Sequence, residues 1–173
     1  SDKASSQNLY LTGIQLISET LTNVLDLKPI NLVQAKQWIG DIVYYLISAD
    51  AELLRLFYEY SSKNYLYNHM VNTTIMSVEV GLGLGYNKSQ LNELGLAGFL
   101  HDIGMIKVEN IAMQNRRLSE GEYNEFKNHP FYGADILSKI KDVSEPVIYV
   151  AKEEHERMDG TGYPAGLKDG QIS

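Results

Sequence analysis

The sequence predicts an all-α fold: a multi-helix bundle that ends in a glycine-rich C-terminal loop. Three observations predict it. Apolar residues recur at helical spacing rather than in strict alternation. Capping residues and glycines stand between the periodic segments. Proline is scarce, with four in the chain, three of them beyond position 129, so little interrupts the long segments.

In order, a first and weakly amphipathic helix is expected from about Ser5 to Val24. Lys28-Pro29-Ile30 breaks it, and Asn31 is a cap residue for a long helix from about Leu32 to Tyr60. Val71, Ile75, Val78 and Leu82 then fall at i, i+4, i+7 and i+11, one apolar stripe of a further helix. Gly83 and Gly85 end that helix, and Asn87 or Ser89 caps the next. This next helix carries Leu91, Leu94, Ala97, Gly98 and Leu100, reaches His101-Asp102 and is expected to stop at Gly104. Ser119-Glu120-Gly121-Glu122 has the S-x-x-E spacing of a capping box. Ser144-Glu145-Pro146 opens a helix expected to run to about Arg157, and Met158 to Ser173 is rich in turn signals. The organisation expected is a helical lead-in over 1–61, with a soft boundary near Ser61, and a metal-binding domain over 62–173.

Composition narrows the function. With a formal net charge of −7, the surface argues against long nucleic acid held on a broad basic face. A small anionic substrate remains open, because a metal cluster supplies a local positive field. Cysteine is absent, so disulfides and thiolate metal sites are excluded. No apolar run is long enough for a membrane span and no secretion signal is visible, so a cytoplasmic location is expected.

The four histidines are His69, His101, His129 and His155, all in the last two thirds of the chain. Asp102 follows His101 directly, and Glu154 and Glu156 flank His155. Imidazole with carboxylate suits first-row divalent metals. An aspartate placed directly after a histidine can offer its two oxygens to two metals about 3.5–4 Å apart, with His129 and the Glu154-His155 pair completing the coordination of the second metal. Taken singly, each histidine reads as an ordinary core or surface residue. Their joint arrangement points to a metal site.

From Tyr65 onward the sequence resembles the HD-GYP family, a branch of the HD phosphohydrolases. The stretches that carry the resemblance are Tyr65-Leu66-Tyr67-Asn68-His69, His101-Asp102-Ile103-Gly104, Asn128-His129-Pro130 with Gly133, and His155-Glu156-Arg157-Met158-Asp159-Gly160-Thr161-Gly162-Tyr163-Pro164. The last is the most specific. The resemblance implies an HD-type bundle holding two or three iron or manganese ions, and hydrolysis of cyclic di-GMP to the linear dinucleotide pGpG and on to GMP. It implies His69, His101, Asp102, His129 and His155 as metal ligands, with Glu154 beside them and Asp102 bridging. It also makes His101 and Asp102 the catalytic residues, and Arg157, Asp159, Gly162, Tyr163 and Pro164 the substrate-facing loop. The implied partner is a cyclic dinucleotide, with a signalling protein and a homodimer kept open. In the loop itself, Gly160 and Gly162 permit backbone angles closed to other residues, and Pro164 restricts Tyr163 to extended conformations.

Three departures from the family pattern stand out. Glu154 replaces the first histidine of an H-H-E motif, and Met105 stands where H-D-I-G-K has lysine. A later aspartate ligand in a V-A-D-type segment is expected beyond Ser173. Tyr65 also replaces the glutamate of three-metal members, which favours two ions. Lys107, Arg116, Arg117, Lys127 and Arg157 are the cations available to stand in for the lysine. Three functions follow: a metal-dependent phosphodiesterase for a cyclic dinucleotide, a degenerate module that binds without efficient turnover, and a hydrolase of another phosphate ester.

Overall fold

The computed structural model describes residues 2–48, 53, 55, 56 and 65–173. Among them there are helices and turns but no strand, only one isolated bridge between Asp159 and Lys168. The all-α expectation holds. No helix among the described residues is long and apolar enough to cross a membrane. The chain divides into two compact units, one ending at Phe99 and the other running from Leu100 to Ser173. The boundary expected near Ser61 falls outside the described residues.

The first unit is built on α1 (Asp2–Leu25), α2 (Leu32–Ile47), α3 (Tyr65–Gly83) and α4 (Lys88–Leu100). Asn31 caps α2 as expected, its side chain accepting from Val33 N. The helix ends at Ile47 rather than running unbroken to Tyr60. There the Ser48 N–H turns back to the carbonyls of Tyr44 and Tyr45, at 3.3 and 3.1 Å. Asn87 caps α4, accepting from Ser89 N and Gln90 N.

Trp38 anchors this core. Its ring is buried, lies 5.8 Å from that of Phe99, and its indole N–H donates to Leu9 O at 2.8 Å. A buried tryptophan needs such a partner for its one polar atom. Ile17, Leu21, Ile39 and Ile42 are likewise buried in the apolar interior of this unit. Of the α3 stripe, Val71, Ile75 and Val78 are buried, while Leu82 is half-buried in the last turn. Gly98 lets α4 lie close on α3, since a Cβ there would come within 2.9 Å of Thr74 Cα.

The second unit has shorter elements: a 3₁₀ turn over Ile103–Lys107, α5 (Glu109–Ala112), α6 (Glu120–Phe126), α7 (His129–Leu137), α8 (Glu145–Glu153) and a 3₁₀ turn over Asp169–Gln171. The capping box is present. Ser119 Oγ accepts from Glu122 N, and the Glu122 carboxylate accepts from Ser119 N at 2.8 Å. Two boundaries differ from expectation. The helix before His101 ends at Leu100, and Gly104 lies inside the 3₁₀ turn instead of terminating an α-helix. Likewise α8 stops at Glu153, not near Arg157, because the chain turns there: Glu156 N donates to Glu153 O, and His155 O accepts from Tyr163 N. Ile103, Ile106, Leu137, Val147 and Ala151 form the small core beneath the site.

Candidate metal centre

Each side chain of the centre in the second unit is set by a local backbone constraint. His101 and Asp102 occupy the turn between α4 and the 3₁₀ segment, and both are buried. The tight 3₁₀ winding carries Gly104 against the start of α7. A Cβ at 104 would overlap the His129 carbonyl oxygen and stand 2.5 Å from Gly133 N. The two glycines therefore let the His-Asp turn and the helix of His129 meet backbone to backbone. His129 opens α7 with Pro130 in its first turn, a position where proline's missing N–H costs nothing.

His129 is 1% exposed, and its Nδ1 lies 2.8 Å from Phe126 O. Only a protonated Nδ1 can donate to a carbonyl, so Nε2 carries the lone pair. That Nε2 points at three candidate ligands: Asp102 Oδ1 at 3.5 Å, Glu154 Oε1 at 3.7 Å and His155 Nε2 at 3.2 Å. His101 Nε2 faces the other oxygens of the same two carboxylates, Asp102 Oδ2 at 3.3 Å and Glu154 Oε2 at 3.8 Å. Asp102 and Glu154 thus each turn one oxygen toward His101 and the other toward His129.

Asp102, His129, Glu154 and His155 each offer a ligand atom within 4.8 Å of the others. The donor set fits a divalent ion on three counts. First, it combines imidazole with carboxylate. Second, two imidazole nitrogens on one ion at ~2.0–2.1 Å stand about 2.8–3.4 Å apart for angles between octahedral and tetrahedral, a range that includes the 3.2 Å between His129 Nε2 and His155 Nε2. Third, Glu154 Oε1 is buried with no hydrogen-bond partner among the described residues. An unsatisfied buried carboxylate oxygen is costly unless a cation meets it. Burial also pushes the His155 pKa down, against the opposing pull of Glu154, a direction that favours the neutral ring ligation requires.

The glycine-rich loop closes over this centre. The Tyr163 ring stacks on His155 with centroids 4.6 Å apart and planes 22° apart. Its phenol is pushed up to about 12, mainly by burial. The Tyr163–Pro164 peptide is cis. Gly162 lies where a Cβ would meet the backbone of His155, Glu156 and Arg157. Arg157 and Asp159 sit on the outer side, exposed and 3.7 Å apart. Asp159 also accepts from Thr161 N at 2.9 Å and from its hydroxyl at 2.6 Å, which holds its carboxyl below the usual range. The loop's main fastener is Glu156, whose carboxylate accepts from Ala165 N, Gly166 N and Leu167 N at 2.7, 3.1 and 2.9 Å.

Of the expected site residues, the second unit brings together His101, Asp102, His129, Glu154 and His155, and it seats Tyr163 against them. His69 belongs to the first unit, on α3, with its ring stacked on Tyr65 at 5.8 Å. Sequence reasoning missed the roles of Glu156, Phe126 and Gly104. Glu156 had a signal, as a carboxylate just ahead of a turn-rich stretch with many free N–H groups.

Residues 52–173 match the HD domain family model. A cyclic di-GMP phosphodiesterase of Pseudomonas aeruginosa is 34% identical over 145 residues, covering 83% of this chain and 35% of the relative. Cyclic di-GMP phosphodiesterase PdeB of Borreliella burgdorferi is 34% identical over 113 residues, 65% of this chain and 30% of the relative. The 3'3'-cGAMP-specific phosphodiesterase 3 of Vibrio cholerae is 36% identical over 78 residues, 44% of this chain and 17% of the relative. The chain therefore spans about a third or less of the length of these relatives.

Proposed function

The chain belongs to the HD domain family, and from that premise we propose that it is a metal-dependent phosphodiesterase acting on a cyclic dinucleotide of the cyclic di-GMP type. The observation that carries this reading is the convergence of Asp102, His129, Glu154 and His155 within reach of one ion, with His101 facing the same two carboxylates. Iron or manganese suits this oxygen- and nitrogen-rich set. A pair of such ions, when bound, supplies Lewis-acid polarisation of phosphoryl oxygens and acidifies water at neutral pH.

The chain's own residues do the rest. His129, locked by Phe126 O, presents a fixed lone pair. Asp102 and Glu154, each with one oxygen toward His101 and the other toward His129, would help hold the ions, and His101 and Asp102 are the residues on which catalysis depends. His69 is assigned as a further ligand on its motif alone. Tyr163, stacked on His155, shields one side of the centre from water. Arg157, Asp159, Gly162 and Pro164 complete the loop that faces the substrate.

The test is product formation. Protein loaded with iron or manganese without oxygen should convert cyclic di-GMP to pGpG, and Asp102→Ala should abolish turnover. Tight binding without any product would sink the reading. That outcome would favour the second one, a degenerate binding module, which Met105 and Glu154 motivate. A panel of phosphate esters run alongside separates the third reading.

A further inference from the structure

Helix α6 enters the metal centre by its C-terminal end. Phe126 gives its carbonyl oxygen to His129 Nδ1, and its ring lies 5.2 Å from the His129 ring. Tyr123 stands three residues earlier and shares that face of the helix. Its ring is half exposed. Lys127 Nζ lies over it at 5.0 Å from the centroid, a cation–π contact that steadies the ring and places a positive charge beside it.

Next to Tyr123 is a cleft of about 630 Å³, walled by Arg117, Leu118, Ser119, Glu120 and Tyr123. That is the size of a small-molecule site. The charges around it sort themselves. Glu122 is committed to Arg116, at 2.5 and 2.9 Å, and to Ser119 N. Glu125 accepts from the Tyr132 hydroxyl at 2.6 Å and from Asn128. Of the acidic residues that line the cleft or stand on α6, this leaves Glu120 with its carboxylate turned to no described partner, while Arg117 and Lys127 are outside the ion pairs of the described residues.

We propose that this cleft takes one purine base of the cyclic dinucleotide, stacked on Tyr123, with Glu120 reading the guanine edge and Arg117 and Lys127 facing the phosphates. The proposal rests on the phosphodiesterase reading above and names the base that the site selects. An ionised carboxylate only accepts hydrogen bonds. Guanine offers N1–H and N2–H₂ donors on one edge, where adenine presents a bare N1 acceptor. The same carboxylate therefore attracts guanine and repels adenine, and a site built around a polar edge discriminates more sharply than an apolar one. Lys127 and Arg117 then stand in for the cation that Met105 cannot supply.

The experiment is calorimetric titration of metal-loaded protein with cyclic di-GMP and, separately, cyclic di-AMP, alongside metal analysis and circular dichroism. Loss of one base–aromatic stack costs roughly tenfold or more in affinity. Tyr123→Ala should therefore weaken cyclic di-GMP by about that factor with metal content and helicity unchanged, and Tyr123→Phe should recover most of the loss. Glu120→Gln should narrow the preference for cyclic di-GMP over cyclic di-AMP by about tenfold. Wild-type affinity in Tyr123→Ala together with an unchanged base preference in Glu120→Gln would overturn the subsite. If the wild-type protein cleaves cyclic di-GMP while the variants behave as it does, only the subsite falls. If the wild-type protein binds neither dinucleotide, the phosphodiesterase reading falls and takes the subsite with it.

Discussion

Gly104→Ala is the sharpest test of how the metal centre is assembled. The added methyl would overlap the His129 carbonyl oxygen and come within 2.5 Å of Gly133 N and 3.0 Å of Gly133 Cα. All three are backbone atoms of α7, so no side chain can rotate away. Ordinary contact is about 3.5 Å, so α7 must recede by about 1 Å or more. The separations of 3.2–3.7 Å between His129 Nε2 and its neighbours would then open to or past the roughly 4 Å that two ligands of one ion can span. Overpacking a tight interior costs about 1–3 kcal/mol, and rigid neighbours put this site near the top of that range. At roughly 2–4 °C per kcal/mol for a chain of this size, the melting temperature should fall by about 6–12 °C. The assay is scanning calorimetry paired with metal analysis. Gly121→Ala is the matched control: a Cβ there meets nothing within 4 Å, and alanine is the better helix former, so it should be neutral or slightly stabilising. Gly104→Ala that melts with the wild type and keeps its full metal content would refute the backbone contact as the element that sets His129.

Four other perturbations follow from the structure. His101→Ala should strip metal while leaving most helicity, and the protein as isolated should lose stability because bound metal adds to the folded state by linkage; unchanged metal content would contradict the ligand assignment. Ser119→Ala should cost about 1 kcal/mol in denaturant unfolding through loss of the α6 cap. Glu122, held down to about 2 by Arg116 and Ser119, lies below its unfolded value, so its contribution is present above about pH 4.5 and lost as pH falls toward 2; the stability gap between wild type and Glu122→Gln should close over that window. Glu156→Gln removes one of the two oxygens that hold Ala165, Gly166 and Leu167, and should raise the Michaelis constant and protease sensitivity of the loop with the metal content retained.

Much of the fold was legible because local chemistry and final structure agree. Asn31, Asn87 and Ser119 cap the helices that their positions announce, and the α3 stripe turns inward at Val71, Ile75 and Val78. The boundaries that differ are those where long-range demands act. Helical spacing could not show that the segment after Leu100 tightens to a 3₁₀ turn, because the reason lies near residues 129 and 133. Nor could it show that α8 ends at Glu153, because His155 O is claimed by Tyr163 N from the loop. The candidate ligands were readable as residue types at family spacing, yet their pairing of oxygens was not. That Asp102 and Glu154 both divide their oxygens between His101 and His129 emerges only in three dimensions.

That division bears on the substitution at Glu154. With His101, His129 and His155 neutral and two ionised carboxylates, the centre in the second unit carries a formal −2, one charge more negative than it would be with histidine at 154. On the two-ion reading proposed above, the pair would bring it to +2 instead of +3. The pull on a phosphodiester group, which carries a single negative charge, would weaken accordingly, and Met105 adds no cation. A site with less central charge must draw more of its substrate affinity from the periphery, where base stacking and flanking cations act. Lys127, over the Tyr123 ring on the helix that leads into His129, is placed to contribute there. Replacing Glu154 by histidine should therefore raise the chemical rate more than the affinity, whereas changes at Tyr123 should move affinity first.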